Sequence, residues 1–364
     1  MRWTASTVRH LRHSSRAHLT TCPRRTIVSD ASSGDAAEEL FEERVAPVLF
    51  AGRSAESTPV LTIIVGQPGA APLRAASRVT TSSGVPPVVL AGQELAAFHP
   101  RFADSVLGDS EGARREVAAA AGVWTRMVLR RARAERVSLV LDGSRLSPDV
   151  AVATAGLFAA DGFSTTLAVM AAPRAETLLS TASKHLISAA QGRWSPLVTL
   201  EKHDAGFART AELVRVVEAS SSVERVVVVG RGGEIRFDAA RDGAERLGGA
   251  AGVLEAARSE PVPAPAGRRW LTELRAATEF ALSRGRIDAL LGVVLGELHE
   301  VAVREVVPAL GLPTDSLARP ILEQTLVARA AAIRAAIPST ARQPASRGPS
   351  PQVGGPEPEV GLSI

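Results

Sequence analysis

The sequence has very little cysteine, no tyrosine and no long hydrophobic run. Its single cysteine, Cys22, excludes an internal disulfide and a cysteine-based metal cluster. No stretch of about 18 apolar residues is present, which argues against a membrane span. The first 28 residues also lack the apolar core of a signal peptide. We therefore expect a cytoplasmic protein with no membrane partner.

Lysine is nearly absent, because every basic residue except Lys184 and Lys202 is an arginine. The sequence pI near 10.3 is typical of nucleic-acid binders, but the net charge is only +4. Residues 1–28 carry six arginines and no acidic residue, so this segment accounts for +6 and the remainder for −2. A nearly neutral body lacks the positive surface that phosphate-backbone binding requires. We expect no nucleic-acid partner.

Short apolar runs alternate with segments of helical periodicity. The runs that predict strands are Val60–Val65, Pro87–Leu90, Ser138–Asp142, Ser164–Met170 and Val223–Val229. In the helical segment 113–135, one face carries Val117, Ala121, Trp124 and Val128. Fully apolar strands separated by amphipathic helices predict an α/β fold with a parallel sheet flanked by helices. Ligands of such sheets bind beyond the carboxyl ends of the strands.

Composition predicts five consecutive regions. A basic tail, 1–35, is expected to be disordered. Its composition is also similar to that of a transit peptide, and a translation start assigned too early is a further alternative. The α/β domain follows at 36–255, and the proline-rich segment 256–267 is interpreted as a linker. Residues 268–336 are predicted to be helical, with a stripe of Trp270, Leu274, Ala277 and Ala281. The Pro/Gly/Ser-rich end, 337–364, is expected to be disordered.

A partial phosphate-loop motif follows the first predicted strand. Residues 66–74 read GQPGAAPLR, which fits the first half of the pattern GxxxxGK[ST]. In the second half, Ala71 replaces the glycine, Pro72 the lysine and Leu73 the hydroxyl residue. Ala71 adds a Cβ where the chain must pass close to a phosphate. Pro72 lacks both an N–H and an ammonium, and Leu73 has no oxygen for Mg²⁺.

A longer series of motifs gives this loop a context. In order from Glu39, the chain contains ELFEERVAPVLFAG, PVLTIIVGQPGA, VVLAGQELAAFHPRF, LVLDGSRLSPDVAVATAGLFAADGF and GRWSPLVTLEKHD. In these motifs the chain resembles the zeta toxin family, P-loop kinases of toxin–antitoxin systems, over residues 36–240. The resemblance implies a kinase that uses ATP with Mg²⁺ to phosphorylate UDP-N-acetylglucosamine. It also implies an antitoxin-like protein partner.

The resemblance assigns roles to individual positions. It places the general-base aspartate of the family at Gln93 and a family arginine at Ala96, so neither residue is retained. Pro72 stands at the lysine position, and no catalytic residue is intact. The predicted nucleotide-binding residues are Gly66, Gln67, Pro68, Gly69, Ala70 and Arg193, and the predicted substrate-binding residues are Glu94, Asp142 and Ser144. The resemblance implies ATP and Mg²⁺ as cofactors, but no metal ligand is predicted and the changed loop residues argue against tight binding of either.

Several of these residues also have a purely structural interpretation. Asp142 can end a strand and cap the next turn, and His99–Pro100 is better explained as a rigid turn than as chemistry. The pair His203–Asp204 is too short for a metal site, and we expect it in a surface loop. Arg193 has the strongest functional interpretation, because its planar guanidinium suits an anionic ligand.

Three functional hypotheses follow. The favoured one is a degenerate zeta-toxin-like protein that retains a weakened nucleotide or UDP-sugar cleft. The second is an active kinase with an unorthodox loop, in which Arg74 or Lys184 acts in place of the lysine. Arg74 lies two residues after the lysine position, about 200° around a helix. The third is a non-catalytic interaction module whose helical C-terminal region binds a protein partner.

Overall fold

The computed structural model describes residues 33–75, 79–80, 86–108, 110–241 and 247–338. The two tails predicted to be disordered lie outside these ranges, with small exceptions at their inner ends. Residues 33–35 begin the first helix, and residues 337–338 follow the last one.

A six-stranded sheet forms the centre of the molecule. Its strands are β1 (Val60–Val65), β2 (Val88–Leu90), β3 (Leu139–Asp142), β4 (Ser164–Ala171), β5 (Arg225–Gly230) and β6 (Ile235–Ala240). The spatial order is β2-β3-β1-β4-β5-β6, and the first five strands pair in parallel. These five strands confirm the predicted apolar runs. β1, β4 and β5 are almost completely buried, as expected for strands covered on both faces.

The sequence did not predict the sixth strand, which makes the sheet mixed rather than wholly parallel. β6 pairs antiparallel with β5, and the register shifts between Val228 and Val229. Its sequence, IRFDAA, alternates exposed and half-buried residues and forms an edge of the sheet. A short edge strand with charged residues has no apolar run to mark it.

Helices flank the sheet and form the C-terminal region. They are α1 (Ser33–Leu40), α2 (Ala46–Leu49), α3 (Gly92–Leu95), α4 (Phe102–Leu107), α5 (Glu111–Ala134), α6 (Pro148–Ala160), α7 (Arg174–Ala190), α8 (Leu200–Ala219), α9 (Ala250–Ser259), α10 (Ala264–Ser283), α11 (Ala289–Val301) and α12 (Ala318–Ala336). Single π-helical turns occur at Phe41–Val45 and Ala302–Val306, and 3₁₀ turns at Pro72–Ala75, Ala96–Phe98 and Pro308–Leu310. None of the helices in the described ranges is both long enough and apolar enough to cross a membrane.

The long helix α5 confirms the predicted periodicity. Ser110 caps its N-terminus by accepting a 3.1 Å hydrogen bond from the Ala113 N–H. The four residues of the predicted face are all buried: Val117, Ala121, Trp124 and Val128. The indole N–H of Trp124 donates a 2.7 Å hydrogen bond to the Ala37 carbonyl and so fastens α1 to α5.

The C-terminal helices share a hydrophobic core with α7. This core joins the buried side of α7 to α10, α11 and α12. The predicted stripe on α10 is buried within it, and the Trp270 indole N–H donates a 2.9 Å hydrogen bond to the Ala175 carbonyl. The C-terminal region is therefore helical, as predicted, and it packs directly against a helix of the α/β part.

The segment predicted as a linker is mostly helical. α9 continues to Ser259 and α10 begins at Ala264, so only residues 260–263 lie between helices. Pro263 is the N-cap of α10, and Pro265 lies in its first turn, where a missing N–H costs nothing. The prolines therefore start a helix rather than form an extended connection. The division into domains at this point stays a prediction.

Candidate functional site

Most of the predicted site residues follow three neighbouring parallel strands, at the same edge of the sheet. The β1 loop, residues 66–71, follows β1, and α3 follows β2 with Gln93 and Glu94. Asp142 ends β3, and Ser144 lies two residues beyond it. Because these strands are parallel, their carboxyl ends lie together. The topology therefore brings the loop and the predicted acceptor residues to one edge.

Hydrogen bonds join the β1 loop directly to the turn after β3. The Gly66 N–H lies 3.3 Å from the Ser144 hydroxyl oxygen, which accepts its hydrogen bond. The Ser144 N–H in turn donates to a carboxylate oxygen of Asp142 at 3.1 Å. The Gly143 N–H donates to the Ile64 carbonyl at 2.9 Å. Asp142 thus caps the turn, in agreement with its structural interpretation, and Ser144 contacts the loop.

The β1 loop has a turn with two left-handed residues. The Ala70 N–H donates to the Gln67 carbonyl at 3.0 Å, which closes the turn. Gly69 has φ +89°, and Ala71 has φ +50°. Ala71 therefore keeps a backbone conformation that favours glycine, although it carries a Cβ. The loop retains the backbone shape of a glycine at the position where the motif has lost one.

The two residues after the loop begin a helical turn, and one of them packs against the core. Pro72 and Leu73 form the start of a 3₁₀ turn, Pro72–Ala75. The Leu73 side chain packs against a small core on one face of the sheet, which includes Ile64 and Met170. An apolar side chain directed at the core therefore occupies the position where the motif has its Mg²⁺-binding hydroxyl.

An arginine from α9 holds the buried side chain of Gln67, the second residue of the β1 loop. The Gln67 side chain is 1% exposed, and its amide N–H donates to the Ala172 carbonyl at 2.7 Å. Its amide oxygen accepts a 2.9 Å hydrogen bond from Arg258. Arg258 also donates to the Phe207 carbonyl at 2.9 Å, and its guanidinium lies 4.0 Å from the centre of the Phe207 ring.

Sequence reasoning missed Arg258, because it lies 191 residues from Gln67 and inside the predicted linker. One signal was present. Arg258 lies four residues after Leu254, on the face of α9 that is buried against the sheet. An arginine on an apolar helical face indicates a charge with a specific partner.

Two further contacts hold the loop against α7 and α8. A Cβ at Gly69 would lie 2.1 Å from the Thr177 carbonyl oxygen on α7. A Cβ at Gly206 on α8 would lie 2.6 Å from the Pro68 ring. The lack of a Cβ at both glycines therefore allows the loop to approach α7 and α8 closely, and the loop packs tightly against these two helices.

The pair His203–Asp204 is not in a surface loop. Both residues belong to α8, and the His203 side chain is completely buried, with Nε2 3.0 Å from the Thr177 hydroxyl and Nδ1 3.1 Å from Asp204. Arg174 binds both carboxylate oxygens of Asp204, at 2.8 and 2.9 Å, and Glu297 on α11 at 2.8 Å. Burial lowers the pKa of His203, and the Arg174 hydrogen bonds lower the pKa of Asp204. This network stabilises the junction of α7, α8 and α11.

Arg193 lies at the far end of α7 from the loop. Its N–H donates to the Ser188 carbonyl at 2.9 Å, and its guanidinium binds the side chain of Gln191. Ser188 is eleven residues beyond Thr177, which corresponds to about 16 Å of helix rise. The next residue, Trp194, donates its N–H to the Val106 carbonyl on α4 at 2.6 Å. The structure thus places Arg193 beside α4 and not against the β1 loop.

The remaining predicted residues lie in the segment that follows β2. Gln93 and Glu94 lie in the short helix α3, and Glu94 is exposed. His99 is largely buried, and its Nδ1 accepts a 3.2 Å hydrogen bond from the Arg101 N–H. This contact holds the turn at His99–Pro100 and agrees with its interpretation as a rigid turn. Burial lowers the pKa of His99.

Comparison with known proteins identifies the family of this architecture. Residues 49–241 match the family model described as Zeta toxin. The chain is 27% identical over 151 residues to Toxin zeta of Enterococcus hirae, which covers 40% of this chain and 52% of that protein. It is 26% identical over 153 residues to Toxin zeta of Streptococcus pyogenes, covering 41% of this chain and 53% of that protein. The chain spans about half the length of the curated relatives it matches.

One solved structure has a similar fold. It comes from a characterisation of the PezAT chromosomal toxin–antitoxin system of Streptococcus pneumoniae. It superposes with a TM-score of 0.56 and 18% sequence identity, over 70% of this chain and 99% of that chain. The likeness covers more than the residues of the family match and supports the fold described above.

Proposed function

This chain belongs to the zeta toxin family, and from that premise we propose that it is a kinase-fold member with a degenerate phosphate loop. In this proposal it binds nucleotides weakly and transfers little or no phosphate. The observation that carries the proposal is the packing of Leu73 into the small core beneath the β1 loop. A half-buried apolar side chain packed against the hydrophobic interior stands at the position of a metal-binding hydroxyl.

The residues of the β1 loop do not fit a Mg²⁺–ATP complex. Pro72 has no N–H to donate, and the N–H groups of Gly66 and Ala70 are already bonded to Ser144 and Gln67. Within the described ranges, no group of three or more His, Cys, Asp or Glu residues could hold a metal ion. ATP is the cofactor of the family, and in this chain we propose only weak contact of its phosphates with the loop.

The acceptor side is better preserved. Glu94, Asp142 and Ser144 follow β2 and β3 at the carboxyl edge of the sheet, with Ser144 in contact with the loop, and we propose that they form a weak UDP-sugar site. Gln93 cannot accept a proton as a carboxylate does, and the loss of a general base costs about 100- to 10,000-fold in rate. We also propose an antitoxin-like protein partner, in keeping with the family.

Calorimetric titration tests the nucleotide part of the proposal. ATP should bind with a dissociation constant in the high micromolar range or weaker, and adding Mg²⁺ should change it little. A sub-micromolar, Mg²⁺-dependent constant would show that the second hypothesis, an active kinase with an unorthodox loop, is correct. The absence of any stabilisation by ATP or UDP-N-acetylglucosamine at millimolar concentration would favour the interaction module.

Restoring the lost residues tests the kinase part. The variant combines five substitutions: Ala71→Gly, Pro72→Lys, Leu73→Ser, Gln93→Asp and Ala96→Arg. Because these residues act as a unit, single substitutions should do almost nothing, while the combination should give measurable transfer from ATP to UDP-N-acetylglucosamine. Phosphorus NMR measures the product. Wild-type transfer equal to that of the variant would contradict the proposed degeneracy.

A further inference from the structure

Arg258 is a buried cation with incomplete pairing. The residue is 5% exposed, and its Nε–H has no hydrogen-bond partner in the structure. Among the described residues, its guanidinium forms no ion pair with a carboxylate. Its contacts are the Gln67 amide oxygen, the Phe207 carbonyl and the face of the Phe207 ring, all of which are neutral.

Such a charge is costly in the absence of an anion. Burial lowers the pKa of Arg258 to about 10, and Glu255, one turn earlier on the exposed side of α9, counters this effect. The side chain is still charged at neutral pH. Buried charges in proteins are normally paired with an opposite charge or coordinated by one. The arrangement therefore has a net positive charge that an anion would compensate.

The charge lies directly behind the β1 loop. Arg258 donates to the side chain of Gln67, the second residue of the loop, and Gln67 also bonds the end of β4. An anion resting on the loop would be separated from water on this side by Gln67 and Arg258, which are 1% and 5% exposed. The attraction would therefore be much stronger than at the protein surface.

We propose that Arg258 is a positioning residue for a phosphate-containing anion on the β1 loop. Through Gln67 it fixes the loop, and its charge provides the attraction that the missing lysine at Pro72 no longer supplies. The chemistry is that of a pyrophosphate group, either free or as part of a nucleotide. The inference rests on the proposed nucleotide cleft and adds a residue that lies beyond the family match, which ends at residue 241.

Two variants and a control test this role in the full chain. Arg258→Met removes the charge with a side chain of similar length, and Arg258→Lys retains the charge but loses the forked geometry. Arg225→Met is the control, because Arg225 begins β5 at the opposite edge of the sheet and pairs with Asp238 at 2.6 Å. The control removes one positive charge far from the loop.

The measurement is the rise in melting temperature with inorganic pyrophosphate, and separately with ATP, both without Mg²⁺. We expect both ligands to stabilise the wild type, Arg258→Met to bind about 10-fold more weakly or worse, and Arg258→Lys to lie between the two. Arg225→Met should keep the wild-type response, even though its own melting temperature falls. The melting temperature of each variant without ligand separates a loss of folding from a loss of binding.

Each outcome decides the matter. Retention of the full pyrophosphate response in Arg258→Met would overturn the role of Arg258 and leave the proposed cleft intact. An equal loss in Arg225→Met would overturn it too, because the response would then follow overall charge. A wild type stabilised by ATP but not by pyrophosphate would overturn the phosphate chemistry. A wild type that responds to neither ligand would overturn the cleft together with this inference.

Discussion

Ala71 has a left-handed backbone conformation at the position where the phosphate-loop motif has its second glycine. In that conformation the Cβ of an L-residue approaches the following carbonyl oxygen, which costs about 1–2 kcal/mol. The surrounding turn, closed by the Ala70–Gln67 hydrogen bond, holds the residue there. The chain has lost the glycine but kept the backbone shape that required it.

Ala71→Gly should therefore stabilise the protein. Relief of the left-handed strain outweighs the larger entropy of glycine in the unfolded chain, for a net gain of about 0.5–1 kcal/mol in the free energy of unfolding. Urea unfolding of the wild type and the variant measures this difference in free energy. Ala70→Gly is the matched control, because Ala70 is not among the residues with positive φ, and it should lose about 0.4–1 kcal/mol. Equal losses in both variants would contradict this account.

At the same scale, the sequence reveals which loop residues are lost but not what replaces them. Pro72 and Leu73 are visibly wrong for a phosphate loop, whereas the packing of Leu73 against Ile64 depends on the folded sheet. The same holds for Arg258 and His203, whose partners lie on other elements. Side-chain pairing between distant segments leaves no local pattern in a single sequence.

At the scale of elements, apolar runs predicted five strands, because four of them lie buried between neighbours and the short edge strand β2 is itself apolar. β6 was missed because an edge strand with charged residues has no such run. The prolines at 263 and 265 were interpreted as a linker, but a proline at a helix start is as compatible with helix as with coil. Local composition does not distinguish these two uses.

The contact between the β1 loop and α7 leads to a second prediction. Gly69→Ala should cost about 3 kcal/mol, because the left-handed strain adds to a clash with the Thr177 carbonyl that a rigid helix cannot relieve. Gly192→Ala is the matched control, since Gly192 also has positive φ, +65°, but has open space around it. It should cost only about 1 kcal/mol. Chemical unfolding of both variants measures the difference, and equal costs would mean that α7 does not restrict the loop.

At the scale of the whole molecule, α7 connects the two parts of the chain. Its first turn backs the β1 loop, and its buried side forms a common core with the C-terminal helices. Arg174 and Ala175 at its N-terminus bond Glu297 and Trp270 of those helices. α7 therefore couples the C-terminal region to the site edge of the sheet.

Three of the histidines that the structure describes are buried, and burial lowers the pKa of each. His99 lies beside α5, His203 between α7 and α8, and His299 in the C-terminal core. The Nδ1 of His299 lies 2.7 Å from the Leu295 carbonyl, and its Nε2 has no partner in the structure. Burial opposes an additional proton on each ring, and the carboxylates of Asp204 beside His203 and of Glu116 beside His99 offset only part of that cost.

The protein should therefore lose stability as the pH falls below about 6.5. In that range the unfolded chain binds protons at these histidines while the folded chain does not, so acid favours unfolding. Asp204, Asp238 and Glu234 have pKa values lowered in the folded state, and their contribution is lost in a second, more acidic window below about 4. Urea unfolding between pH 7.5 and 5 measures the first window.

The variant His299→Leu isolates the contribution of one histidine to the pH dependence of stability. Without a titrating group at that position, the fall in unfolding free energy between pH 6.5 and 5 should be shallower, by up to about 1.4 kcal/mol per pH unit. At pH 7.5 the variant should be close to the wild type, because it loses the contact with Leu295 but also removes the unpartnered Nε2. Parallel pH profiles for the two proteins would show that His299 does not contribute. The acid sensitivity would then come from His99 in the α/β part and His203 near the β1 loop, rather than from the C-terminal helices.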